Sequence, residues 1–240
     1  MNGSSTPTVV LVHGAFADAS GFAGVIRELE SAGIDVVAPP NPLRSLAFDA
    51  AAVADVARAV DGPVVLVGHS YGGAVIGQAS AELDNVTGLV FLAAFGLDAG
   101  ESCAGVQGPY APSMLAKTSG PTPYDAHGAS GGPDLYIGKE AFRETFCADV
   151  PVDVADVMWA TQRPLSVAAL TENATAAGWK NNPSWYLVSE HDNAIPPDTE
   201  RFMAKRMGAT TETIVGSHTA FIAQPVAVAA FIRRALDPAA

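Results

Sequence analysis

A chain of 240 residues that is 49% hydrophobic and only 16% charged can bury a large core, which excludes a disulfide miniprotein and composition-driven disorder. Its 13 Lys and Arg against 25 Asp and Glu leave a formal charge of -12, a field that repels phosphate backbones and anionic headgroups, so neither nucleic acid nor a membrane is expected as a partner. No apolar run approaches the ~20 residues of a membrane-spanning helix, and Cys103 and Cys147 lack CxxC spacing, so a cytoplasmic protein with reduced thiols is expected, one disulfide remaining open.

In chain order, the β-branched run at 8–12 predicts a first strand, followed by a glycine turn and a helix over 21–32 with Ser20 as N-cap and Gly33 at its stop. A strand pattern at 34–38 is broken by Pro39, Pro40 and Pro42, after which Ser45 can cap an alanine-rich helix to about residue 60. Strands at 64–67 and 86–93 flank a small-residue helix at 73–83. Continuous apolar strands alternating with helices predict a parallel sheet covered on both faces.

The rhythm breaks at 96–133, rich in Gly, Pro and Ser, and two or three short helices are expected, around 139–146, 153–160 and 164–177. A strand at 184–188, a helix at 197–207, a strand at 210–215 and a helix at 225–236 close the chain. This order predicts a core domain of 1–96 and 180–240 interrupted by a mainly helical cap over 97–179, placed as an active-site lid would be.

The chemistry centres on Gly68-His69-Ser70-Tyr71-Gly72, a G-x-S-x-G pattern between an apolar strand and a helix. A turn that tight lifts the Ser70 hydroxyl above the sheet edge, but a hydroxyl becomes a nucleophile only when a base takes its proton. Five histidines compete. His69 sits inside the turn and cannot reach back, His13 follows the first strand, His127 falls in the irregular stretch, and His191 adjoins an aspartate; His218, after the last strand, is the candidate base. Of Glu190, Asp192 and Asp198, Asp192 is preferred as the acid that orients it: Glu190 follows its strand too closely and Asp198 is explained by a helix start. The amides of Tyr71 and Ala15, with Phe16 as the neighbouring alternative to Ala15, would form the oxyanion hole.

His-Gly-Ala after the first strand, Gly-His-Ser-Tyr-Gly-Gly after the third, Glu-His-Asp-Asn-Ala-Ile-Pro-Pro and Gly-Ser-His-Thr-Ala-Phe resemble the α/β-hydrolase superfamily, and within it the small esterases that include plant methyl esterases, hydroxynitrile lyases and bacterial pyrethroid-type carboxylesterases. The resemblance implies six parallel strands, a cap over Ser70, no cofactor, and hydrolysis of a small-molecule ester by Ser70, His218 and Asp192. Ser70 departs from the aspartate nucleophile of dehalogenases and epoxide hydrolases. Thr219 and Ala15 stand where the related hydroxynitrile lyases carry lysine and threonine, which argues against cyanohydrin cleavage.

Phe16, Phe95, Trp159 and Phe221 are candidates for an apolar substrate pocket, whereas Asp18 and Tyr124 read as ordinary loop residues. The histidine spacing predicts no metal. Two other readings stay open: a ligand-binding receptor on the same fold, and a lactonase, thioesterase or cofactor-independent oxygenase using the same machinery.

Overall fold

The computed structural model describes residues 6–107, 112–124 and 132–236. The first half builds strands and helices alternately: β1 (Thr8–Val12), α1 (Ala23–Ser31), β2 (Val36–Val37), α2 (Leu46–Ala59), β3 (Val64–His69), α3 (Tyr71–Ala79) and β4 (Val86–Leu92). The apolar runs form strands because both faces of the sheet are covered, and Val9 to Val12 and Val64 to Val67 are all fully buried. Truncating Leu11 to Ala there would cost roughly 2–5 kcal/mol.

Between β4 and the next core strand the chain runs through α4 (Cys103–Val106), α5 (Leu115–Thr118), β5 (Ser119–Thr122), β6 (Asp134–Ile137), α6 (Lys139–Phe146), α7 (Val152–Ala160), β7 (Leu165–Ser166) and α8 (Val167–Thr171). It then returns as β8 (Ser184–Ser189), α9 (Pro197–Met207), β9 (Thr210–Ile214), α10 (Ala220–Ala223) and α11 (Pro225–Leu236). The six core strands lie in the order β2-β1-β3-β4-β8-β9 with every pairing parallel. β3 is therefore interior, and the turns after β1, β3, β8 and β9 all open at one sheet edge, the carboxyl ends where α/β sheets gather functional groups. α1 and α11 pack on one face of the sheet and α2 and α3 on the other.

Three details differ from the expectation. Ser20 does not cap α1: its amide donates to Asp18 Oδ1 at 2.7 Å, so Asp18 caps a short 3-10 turn at Ala19–Phe22 that feeds the helix. The expected helix at 164–177 is a two-residue strand followed by five helical residues, because Leu165 and Ser166 pair with Leu135 and Asp134 of β6 and Ser166 then caps α8. The inserted segment is thus not purely helical. It carries a three-stranded sheet ordered β5-β6-β7, antiparallel in both pairings, part of it inside the stretch that shows no sequence period.

The segment is tied to the core at named points. Arg44, just before α2, donates to Asp134 Oδ1 at 2.9 Å and to the Pro164 carbonyl at 3.4 Å, and its guanidinium stacks over the Tyr124 ring. Among the described residues no helix is long and apolar enough to cross a membrane.

Candidate active site

Strand β3 runs straight into α3 through Ser70, whose φ of 54° and ψ of -123° lie outside the regions an ordinary side chain prefers. The turn is held by close packing. A Cβ at Gly72 would collide with the Val12 carbonyl, and one at Gly14 would stand 2.7 Å from Ser70 Cβ, so the loops after β1 and β3 can touch only because neither position carries a side chain.

The β8 and β9 turns bring the other two candidates together. His218 Nδ1 donates to Asp192 Oδ2 at 2.5 Å, both side chains being fully buried. Asp192 Oδ1 accepts the amides of Ala194 at 2.6 Å and Ile195 at 2.8 Å, an Asx turn that aims the other oxygen at the imidazole. With its proton on Nδ1, His218 presents Nε2 as an acceptor, and that nitrogen is buried with no partner among the described residues. It is not hydrogen-bonded to Ser70 in this structure, as in many ligand-free hydrolytic sites where the contact tightens on binding. Glu190 and His191 are exposed, and so is Asp198, which pairs with Arg201 at 3.2 Å. His127 lies outside the described residues.

Tyr71 opens α3, so its amide is one of the donors a helix start leaves unused. The Ala15 amide likewise has no acceptor among the described residues, whereas that of Phe16 donates to the Arg163 carbonyl at 2.9 Å. The two alternatives therefore differ: the Ala15 amide is free and the Phe16 amide is engaged. The Tyr71 hydroxyl donates to Asp49 Oδ2 at 2.8 Å, and Arg44 donates its amide to the same carboxylate. Burial, reinforced by the Asp49 charge, keeps the Tyr71 phenol protonated far into alkali.

Ser70 opens onto a cavity of about 360 Å³. Ala15, Phe16, Tyr71 and Phe95 form its core side, and Phe146, Leu115, Leu135, Leu165 and Leu170 from the inserted segment form the other. No charged side chain lines it among the described residues. Two aromatics expected at the pocket are not on this wall. Trp159 lies away from it under the Lys139 ammonium, 4.9 Å from the ring, and Phe221 packs 4.6 Å from the His69 ring and 4.7 Å from that of Phe22. Phe146 was missed by the sequence reading. Its ring sits 5.2 Å from His218 and 6.1 Å from Phe16, and the only sequence signal was its place on the apolar side of α6 with Phe142.

His69 is also missed as a supporting residue. Its Nε2–H donates to the His218 carbonyl at 2.9 Å, and burial, helped by the neighbouring His218, holds the imidazole well below the usual histidine range, so it stays neutral. Cys103, on the cavity wall, and Cys147 are both free and buried; burial pushes the Cys147 thiol up to about 12. No three His, Cys, Asp or Glu side chains cluster at metal-binding range among the described residues.

Residues 9–231 match the alpha/beta hydrolase family. The chain belongs to that family. This alpha/beta hydrolase is 26% identical to the alpha/beta hydrolase nvfD of Aspergillus novofumigatus over 97% of the chain and 98% of the relative. It is 28% identical to methylesterase 2 of Arabidopsis thaliana over 60% of the chain and 57% of the relative. The fold is shared with a pyrethroid hydrolase of Sphingobium faniae, at a TM-score of 0.80 and 23% identity, covering 98% of this chain and 99% of that one.

Proposed function

We propose that this alpha/beta hydrolase is a serine esterase that cleaves carboxylic esters of small, neutral, largely apolar molecules through an acyl-enzyme. The observation that carries the reading is the pairing of His218 with Asp192, which leaves an unpartnered Nε2 at the end of a buried hydrogen-bonded chain. In this reading Nε2 takes the Ser70 proton as Oγ attacks the ester carbonyl, Asp192 stabilises the imidazolium, and the Ala15 and Tyr71 amides receive the developing oxyanion. The imidazolium then protonates the departing alcohol, and water repeats the cycle to release the acid.

The cavity wall supports the substrate class. Leucines and phenylalanines without a charged side chain favour a neutral acyl or alcohol group, and desolvating a charged one there would be costly. Residues 97–179 act as the lid that shapes this pocket, and two buried thiols fit a cytoplasmic setting.

The test is hydrolysis of a short p-nitrophenyl ester series by the wild type and Ser70→Ala, with mass spectrometry after exposure to a serine-directed phosphonate. Loss of both turnover and label in the variant, the turnover by roughly 10⁴-fold or more, is the expected result. A wild type that neither turns over nor labels would move the receptor reading ahead. Turnover of lactones or thioesters in preference to the ester series would reassign the substrate class.

A further inference from the structure

A second carboxyl group is buried behind the triad. Glu200, in the first turn of α9, has no solvent exposure, and it lies on the inward face of that helix with Met203, Ala204 and Met207. Its Oε2 accepts the Ser189 amide at 3.1 Å, its Oε1 has no hydrogen-bond partner, and the Ser189 carbonyl in turn accepts the Asp192 amide at 3.3 Å, so the two buried carboxyl groups are anchored on one residue. Asp192 is occupied on both oxygens, by two backbone amides and by His218.

Two carboxylates anchored on one residue, both out of water, would repel, unless one carries a proton. The remaining groups do not relieve this. Tyr186 on β8 faces Glu200 but donates its hydroxyl to the Ala94 carbonyl, and Arg201 is a half-exposed guanidinium paired with Asp198. Asp192 is the member held by two amides and a histidine, so the proton belongs on Glu200.

We propose that Glu200 is a neutral carboxylic acid that donates a hydrogen bond to Asp192 and acts as a positioning residue for the triad. The arrangement leaves one negative charge opposite the imidazolium that forms on His218, and it fixes Asp192 from a side that the amides and the histidine do not cover. Burial, and then the Asp192 charge, push the Glu200 carboxyl well above the usual carboxylate range, in agreement with this assignment. The triad role rests on the esterase reading; the protonation state does not.

Glu200→Gln replaces the donor and the acceptor with an amide, whose oxygen can take the Ser189 amide and whose NH2 can reach Asp192. Glu200→Leu keeps the bulk and loses both. Infrared spectra near neutral pH should show a buried protonated-carboxyl band in the wild type that is missing in Glu200→Gln. Above the ordinary carboxyl range, the wild-type unfolding constant should rise by up to about tenfold per pH unit relative to Glu200→Gln, because the native wild type holds a proton that the unfolded chain has released. In ester turnover, Glu200→Gln should stay within about threefold of wild type in kcat, and Glu200→Leu should lose about tenfold or more with KM little changed.

A missing infrared band together with parallel unfolding curves would overturn the protonation state. Glu200→Leu that turns over like wild type, or Glu200→Gln as impaired as Glu200→Leu, would overturn the positioning role. If Glu200→Leu does not fold, the comparison of Glu200→Gln with wild type decides. A protein without esterase activity still answers through the infrared band and the unfolding slope.

Discussion

His69 Nε2 donates to the main-chain oxygen of His218 at 2.9 Å, so the residue that precedes the candidate nucleophile carries the backbone of the candidate base. The two rings lie 4.6 Å apart. The bond spans β3 and the turn after β9, which are not neighbours in the sheet.

Replacing His69 with Phe keeps a ring against Phe146 and Phe221 but removes the donor to the His218 carbonyl. The loss should cost about 1–3 kcal/mol of stability and lower kcat by about tenfold, with less effect on KM. Urea unfolding and steady-state kinetics on a p-nitrophenyl ester check both; unchanged kcat would show that the bond does not position the base.

His13 makes acid stability measurable. Its Nε2 accepts the Asn41 amide at 2.9 Å, and burial lowers its pKa from 6.5 to about 4, so the native ring is neutral where the unfolded one is charged. The unfolded chain therefore binds the extra proton, and stability that is full above about pH 6.5 is lost as pH falls towards about pH 4, by roughly 3 kcal/mol in total. His69 acts in the same direction. Denaturation curves across this range should be flatter for His13→Gln by about one proton; an identical slope would remove His13 from the account.

Asp149, between α6 and α7, reaches from the inserted segment to the loop that carries the candidate base. It accepts the Ser217 amide at 2.9 Å and the Ser217 hydroxyl, immediately before His218. Asp149 is exposed, so Asp149→Ala should cost only about 1 kcal/mol of stability, but kcat should fall several-fold as the loop loosens. Asp149→Asn retains an acceptor for the amide and should recover most of the rate. A kinetic comparison of the two variants is decisive: equal losses would point to charge rather than to the tether.

Much of the core was legible because local rules suffice there. α9 begins with Pro197 and α11 carries its buried side chains at helical spacing, and both occupy the predicted residues. The Gly68 to Gly72 pattern implied a strained turn because its requirements are met within five residues. The inserted segment was less legible. Leu165 and Ser166 read as the start of a helix, yet their backbone groups are claimed by β6, some thirty residues earlier in the chain. Trp159 is an aromatic expected at the pocket, yet it is Phe146, from α6, that lines the cavity and reaches His218.

Residue order alone determined the alternation of strands and helices, the tight turn that carries Ser70, and the short list of candidate acids and bases after the last strands, since each depends on spacing, turn chemistry and chain order. Tertiary structure decided the rest. It left Ala15 rather than Phe16 with a free amide, made His69 a support rather than a spectator, and buried Glu200 with one carboxyl oxygen unpartnered. Those outcomes depend on which polar groups meet after burial, where an unpaired donor or charge costs several kcal/mol, and no local pattern encodes which distant group will arrive to pair it.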